Sequence, residues 1–131
     1  MSDAPIRVLV VDDQAPFRMA ARFVVRRAPG FEQVGEAETG EASVEQVAAL
    51  APDLVLMDIN MPGINGIEAT RRILAVAPET VVFLCSTYQL GDLPADAATS
   101  GAKAYVNKEE MGPDLLAELW ANRDHEGLAT A

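Results

Sequence analysis

Cysteine, histidine and positive charge are all scarce in this sequence. The one cysteine, Cys85, lies inside the apolar run TVVFLC, so no intramolecular disulfide can form and an inert core thiol is expected. The one histidine, His125, stands in the C-terminal tail, where it is expected to be solvated and nothing gives it a role as a phosphate donor. Lysine and arginine number 10 against 20 aspartates and glutamates, a formal net charge of −10. Such a chain has no basic stripe to neutralise a phosphate backbone, which argues against direct nucleic-acid binding. No run approaches the roughly 18 to 20 apolar residues that span a membrane. The opening MSDAPIRVLVV has no basic stretch before its apolar run, so it does not read as a secretory signal, and a soluble cytoplasmic chain is expected. Glycine-rich nucleotide loops of the P-loop or dinucleotide-binding kind are missing. So are internal repeats, low-complexity tracts and linkers.

What is present is a globular composition of 131 residues, 50% hydrophobic and 23% charged. That suits one domain, with a core over about residues 5–123 and a frayed tail over 124–131. Short apolar runs alternate with helical patterns. Strands are expected at IRVLVV (6–11), FEQVGEA (31–37), DLVLM (53–57), TVVFLC (80–85) and AKAYVN (102–107). Helices are expected over 16–28, 41–51, 66–77 and 113–123. In the first, Pro16 suits the opening turn, and Phe17, Ala20, Ala21, Val24, Val25 and Ala28 recur at helical spacing. In the last, Leu115, Leu116, Leu119 and Trp120 share one side, with Trp120 in or beside the core. The stretch 88–101 carries Gly91, Pro94 and several alanines, and reads as a short, poorly anchored helix near 94–99 or a loop with one turn.

Five strands alternating with helices make an α/β fold with a doubly wound parallel sheet. Uninterrupted apolar strands fit a sheet covered on both faces. Ligands of such sheets bind at the carboxyl ends of the strands. Asp12 and Asp13 follow the first strand, Asp58 the third, Ser86 the fourth and Lys108 the fifth. The fold therefore gathers three acids, a hydroxyl and an amine. Three clustered carboxylates repel and call for a hard divalent cation, Mg²⁺ or Mn²⁺. Asp13 and Asp58 are the expected direct ligands, with Asp12 beside them and a backbone carbonyl at Asn60. Lys108 and Ser86 suit the oxygens of a phosphoryl group. Asp58, in the middle of the set, is the expected acceptor. Pro62, Gly63 and Gly66 form a turn that aims a backbone carbonyl at the site.

The segments VLVVDDQ, LVLMDINMPGINGIEATRRI, the strand-end Ser86 and AYVNK resemble the receiver domain of two-component response regulators, and the first 75 residues are similar to receivers of the NarL and FixJ type. The resemblance covers nearly the whole chain. It implies a flavodoxin-like sheet in the order 2-1-3-4-5, and Mg²⁺-dependent phosphotransfer to Asp58 from a sensor histidine kinase or phosphotransfer protein. It also implies a switch through Ser86 and Tyr105 to a downstream protein partner, and a homodimer through the last strand and final helix. Departures are Glu109 after the lysine, where a trans peptide is expected, and Thr87 after the hydroxyl, positioned to crowd the phosphoryl site and limit the switch.

Three other readings compete. A DNA-binding regulator could contain this chain as its receiver portion; a helix-turn-helix output would need roughly 60 further residues. A haloacid-dehalogenase-type phosphatase would need an acid two positions after Asp58, where Asn60 stands; an amide cannot transfer the proton. A scaffold would keep the fold without taking phosphate. The expected role is a phospho-acceptor rather than a turnover enzyme.

Overall fold

The structure is a computed structural model and describes residues 4–88, 90–124 and 128–130. His125 lies outside the described residues. Strands β1 (Ile6–Val11), β2 (Phe31–Ala37), β3 (Leu54–Asp58), β4 (Val81–Ser86) and β5 (Ala104–Asn107) alternate with helices α1 (Ala15–Arg27), α2 (Gly40–Leu50), α3 (Gly66–Val76) and α4 (Pro113–Ala121). The strands pair in parallel in the order β2-β1-β3-β4-β5, the flavodoxin-like arrangement.

The pleat divides each strand between two cores. Leu9, Val11, Val55, Met57, Val82, Leu84 and Tyr105 face α2 and α3, meeting Val47, Ile67 and Ile73. Val8, Val10, Leu54, Leu56, Phe83, Cys85 and Val106 face α1 and α4, meeting Ala21, Val25 and Leu116. Both faces are therefore buried, which is why the central strands are apolar at nearly every position before their carboxyl ends. Ala20, expected on the inner face of α1, is exposed; the helix turns its buried stripe through Ala21 and Val25 instead. Trp120 is half-buried and packs edge-on against Phe31, with ring centroids 6.3 Å apart.

Local chemistry sets the helix boundaries. The Thr39 side chain accepts from Ala42 N at 3.0 Å and opens α2; Asn65 accepts from Glu68 N at 2.9 Å and opens α3. At the other end of α2, Arg7 donates one guanidinium nitrogen to the carbonyls of Leu50 and Ala51, at 2.7 and 2.8 Å. These are carbonyls the helix itself leaves unpaired.

The tail departs from expectation. Ala129–Thr130 forms a short strand, β6, parallel to β5, with Ala104 opposite Ala129 and Tyr105 opposite Thr130. Two residues are too few to show a period in sequence. They pair because β5 would otherwise present an open edge, and because Leu128 and Ala129 pack on the two cores. A homodimer through the β5 edge would have to displace them.

Between β4 and β5 the described residues form two 3₁₀ turns, Leu90–Asp92 and Ala95–Thr99, and no α-helix. Alanine-rich and interrupted by Pro94, this stretch fully buries Ala97 among its described apolar side chains, with Leu93 partly buried against the core. Five residues of α3 are buried by contrast. Backbone hydrogen exchange over 90–99 is expected to run at least about tenfold faster than over Gly66–Val76. Equal protection in the two would contradict this account of the anchoring.

Candidate functional site

Each side chain of the site comes from the carboxyl edge of a strand. β1 ends at Val11, and Asp12 follows with its backbone N–H still bound to the Ala37 carbonyl of β2 at 3.0 Å. That bond carries Asp12 into the interior, where it is wholly buried; Asp13, one residue on, faces solvent. Asp58 is the last residue of β3, opposite Cys85 of β4, and is 4% exposed. Ser86 closes β4 and is buried. Lys108 follows β5 directly and opens a 3₁₀ turn, Lys108–Glu110, capped by Asn107. The Lys108–Glu109 peptide is trans, as expected.

One loop conformation fixes Asp58. Gly66 N–H bonds back to the Ile59 carbonyl at 2.8 Å, which closes the turn through Pro62 and Gly63. Gly63 has φ +79°, a value glycine adopts without strain. A Cβ on Gly66 would collide with the Asp58 carbonyl, so only glycine lets α3 start against the end of β3.

Asp12, Asp13 and Asp58 each bring a carboxylate oxygen within 4.8 Å of the others. Lys108 Nζ lies 2.6 Å from Asp12 Oδ2 and 3.2 Å from Asp58 Oδ1. The same ammonium sits 4.6 Å from the centre of the Phe17 ring. Two of the three clustered carboxylates thus meet the Lys108 ammonium. Burial, and then the Asp12 charge, push the Asp58 carboxyl up to about 6, against the opposing pull of Lys108. Burial would lower the Lys108 ammonium, but its hydrogen bond to Asp12 and the charges of Asp58 and Asp12 outweigh this and raise it above the ordinary lysine value. Cys85, next to this cluster, is pushed up to about 12 by burial and is an inert thiol.

The donor set fits a hard cation. Buried Asp12 Oδ2 meets Lys108 and has no other donor among the described residues. An acid cluster that stays under-neutralised, with oxygen ligands only, matches what Mg²⁺ or Mn²⁺ requires.

The structure separates the remaining expected residues. Asn60 is exposed, and its side-chain Oδ1 accepts a hydrogen bond from the Tyr88 phenol at 3.2 Å. Thr87 is exposed at a bend directly after β4. Tyr105 is buried; its phenol lies 3.1 Å from the Ser86 carbonyl and 2.8 Å from the Tyr88 carbonyl. Sequence reasoning missed two neighbours. Phe17 reads as ordinary core on an amphipathic helix, and Tyr88 as the start of a weak segment. The position of Tyr88, two residues after the strand-end hydroxyl, was the available signal.

A doubly wound parallel sheet with an acid cluster bridged by a lysine at its carboxyl edge defines an α/β domain of the flavodoxin-like class with its site at the strand ends. The chain belongs to the response regulator receiver domain family: the family's sequence model matches residues 8–119. It is 39% identical over 102 residues to the chemotaxis protein CheY of Thermotoga maritima, covering 78% of this chain and 84% of that protein. It is 36% identical over 118 residues to the transcriptional regulatory protein DegU of Brevibacillus brevis, covering 90% of this chain and 50% of the relative. The chain thus spans about half the length of that regulator. Among solved structures, the response regulator domain of Thermotoga maritima CheB superposes with a TM-score of 0.81 at 32% identity, covering 93% of this chain and 98% of that one. A LuxR-family response regulator from Aurantimonas sp. SI85-9A1 gives 0.83 at 28% identity, over 95% and 89%. The chain is therefore a receiver domain of two-component response regulators. Among the described residues, no helix is long and apolar enough to cross a membrane.

Proposed function

We propose that Asp58 accepts a phosphoryl group from the phosphohistidine of a sensor kinase or phosphotransfer protein, in a site completed by Mg²⁺ or Mn²⁺. The observation that carries this reading is the Lys108 ammonium, within 2.6 Å of Asp12 and 3.2 Å of Asp58, at the edge where both strands end. Asp13 and Asp58 hold the cation directly, Asp12 supports it, and the Asn60 backbone carbonyl completes the protein's share. The cation, when bound, offsets negative charge on the carboxylates and on the incoming phosphoryl oxygens.

The chain's own groups do the rest. An ionised Asp58 oxygen attacks phosphorus; the O–P bond forms as the P–N bond to the donor histidine breaks, and the histidine keeps the electron pair. Lys108 and the Ser86 hydroxyl receive the phosphoryl oxygens. Asn60, an amide, cannot act as the acid or base that rapid hydrolysis of the acyl phosphate would need, so the product persists as a signal. Ser86 and Tyr105 then carry that signal to a protein partner. Similarity to DegU supports a second reading of the output, in which this domain regulates a DNA-binding portion of a longer chain.

Incubation with acetyl phosphate and Mg²⁺ is expected to add one phosphoryl group, seen as a mass increase of about 80 Da. Labelling should vanish in Asp58→Asn and without a divalent cation. Undiminished labelling of Asp58→Asn would overturn the assignment, and a native chain that takes no label would favour a scaffold.

A further inference from the structure

The amino edge of the sheet, opposite the acid site, holds a cavity of about 480 Å³. Part of its lining is apolar: Val47, Ala48 and Ala51 from the end of α2, and Val76 and Ala77 from the end of α3. The rest is polar: Asp53 just before β3, and Glu79 and Thr80 just before β4. Val81 N–H bonds to the Asp53 carbonyl at 3.0 Å, so Thr80 enters its strand beside Asp53. Thr80 is 6% exposed, yet its hydroxyl has no hydrogen-bond partner and is not sealed from solvent. It therefore opens on the cavity, with its lone pairs unused. Asp53 and Glu79 are exposed, and among the described residues no lysine or arginine lines the cavity with them. The Arg7 guanidinium is committed to the Leu50 and Ala51 carbonyls at the end of α2. The last turn of α3 has no basic residue, so its carbonyl end adds partial negative charge. Val76, 63% exposed, adds an aliphatic surface open to solvent.

This lining would repel an anion, and a neutral hydrocarbon would leave the Thr80 hydroxyl unpaired. A bare metal ion finds its cluster of three acids elsewhere, at Asp12, Asp13 and Asp58. We propose that the cavity binds a small primary aliphatic amine as its ammonium ion. The alkyl chain lies against Val47, Val76 and Ala77. The ammonium donates to the Thr80 hydroxyl and is held by the charges of Asp53 and Glu79. Such an amine is protonated at neutral pH, as a lysine side chain is. The formal net charge of −10 gathers cations around the chain, and the apolar lining selects those with an alkyl body. The site is separate from the phosphoryl chemistry proposed for Asp58.

The test is an NMR titration of the full nitrogen-15-labelled chain with n-pentylamine hydrochloride, at about pH 7 and about 0.15 M salt, where loose surface attraction is screened. Saturable shifts are expected over residues 47–53 and 76–80, with n-pentanol binding at least about tenfold more weakly. Thr80→Val should weaken binding about three- to tenfold, and Thr80→Ser should bind as the native chain does. Glu79→Gln should weaken it about two- to fivefold. Ala48→Leu, which fills the cavity from an exposed helical position, should abolish it. Shifts that do not saturate, or that spread over the acidic surface, would overturn the proposal. Equal binding of n-pentanol, or native affinity in Thr80→Val, would do the same. If Thr80→Val does not fold, Ala48→Leu decides, and unimpaired binding there is the overturning result. A capped tripeptide with a central lysine carries the same ammonium on a bulkier frame and should bind more weakly. Tighter binding of that peptide would overturn the free amine as occupant.

Discussion

At about pH 7, Asp58→Asn is expected to be more stable than the native chain by up to about 3 kcal/mol. The Asp58 carboxyl ionises near its ordinary value of 3.8 in an unfolded chain and only at about 6 in the folded one. Between those values the folded state holds more protons than the unfolded state. Stability is therefore highest below 3.8, falls as pH rises through this window, and has lost the whole contribution above about 6. The interval corresponds to about 3 kcal/mol, of which burial is the larger cause and the Asp12 charge the next. An asparagine has nearly the same shape and never ionises, so it removes the penalty. Urea midpoints at about pH 7 and pH 4 measure the effect: the variant should lead at the higher pH and lose its lead at the lower. Saturating Mg²⁺ should also narrow the gap, by stabilising the ionised acids of the native chain. Equal midpoints at about pH 7 without metal would mean that Asp58 is not held against its charge.

Lys108→Met is expected to act in the opposite direction, lowering stability at about pH 7 by about 3–5 kcal/mol, the usual cost of stripping one partner from a buried ion pair. The Lys108 side chain is 14% exposed, and its carboxylate partners on Asp12 and Asp58 are 0% and 5% exposed. Without the ammonium, those two carboxylates repel at close range with no compensating charge. The contact with the Phe17 ring is lost as well. Acid should relieve the loss, because Asp58 then protonates at a still higher pH than in the native chain. The double variant Lys108→Met, Asp58→Asn should recover much of it, since only Asp12 remains charged in the interior. Denaturant titrations of the four proteins form a cycle. An unchanged midpoint in Lys108→Met would show that the ion pairs contribute nothing to folding.

A site that destabilises its own fold is consistent with a pocket built to receive charge. Three acids and one ammonium are poorly balanced alone, and the imbalance is what a divalent cation corrects. The Asp58 carboxyl at about 6 also means that near-neutral solution holds it mostly ionised, as a nucleophile must be. Below that range the carboxyl is protonated and its reactivity is expected to fall with pH.

The residues themselves determined the framework. β1, β3 and β4 lie within a residue of the apolar runs that announced them, because a strand buried on both faces tolerates few polar side chains, and the edge strand β2 matches the alternation over 31–37. Asp12, Asp13, Asp58, Ser86 and Lys108 could be assembled on paper, because in a parallel sheet every strand points its carboxyl end at the same edge. Only the tertiary structure decided how they meet. Asp12 and Asp13 are adjacent in sequence, yet one is buried and the other exposed, since the bond from Asp12 N to Ala37 depends on the pairing of β1 with β2. The placement of Lys108 between Asp12 and Asp58 depends on the pairing of β4 with β5, across 50 residues of chain from Asp58. The Tyr88–Asn60 bond and the two-residue β6 carry no local pattern at all. A periodicity needs several residues to show itself, whereas a single hydrogen bond or a short edge pairing exists only once distant parts of the chain have been packed together.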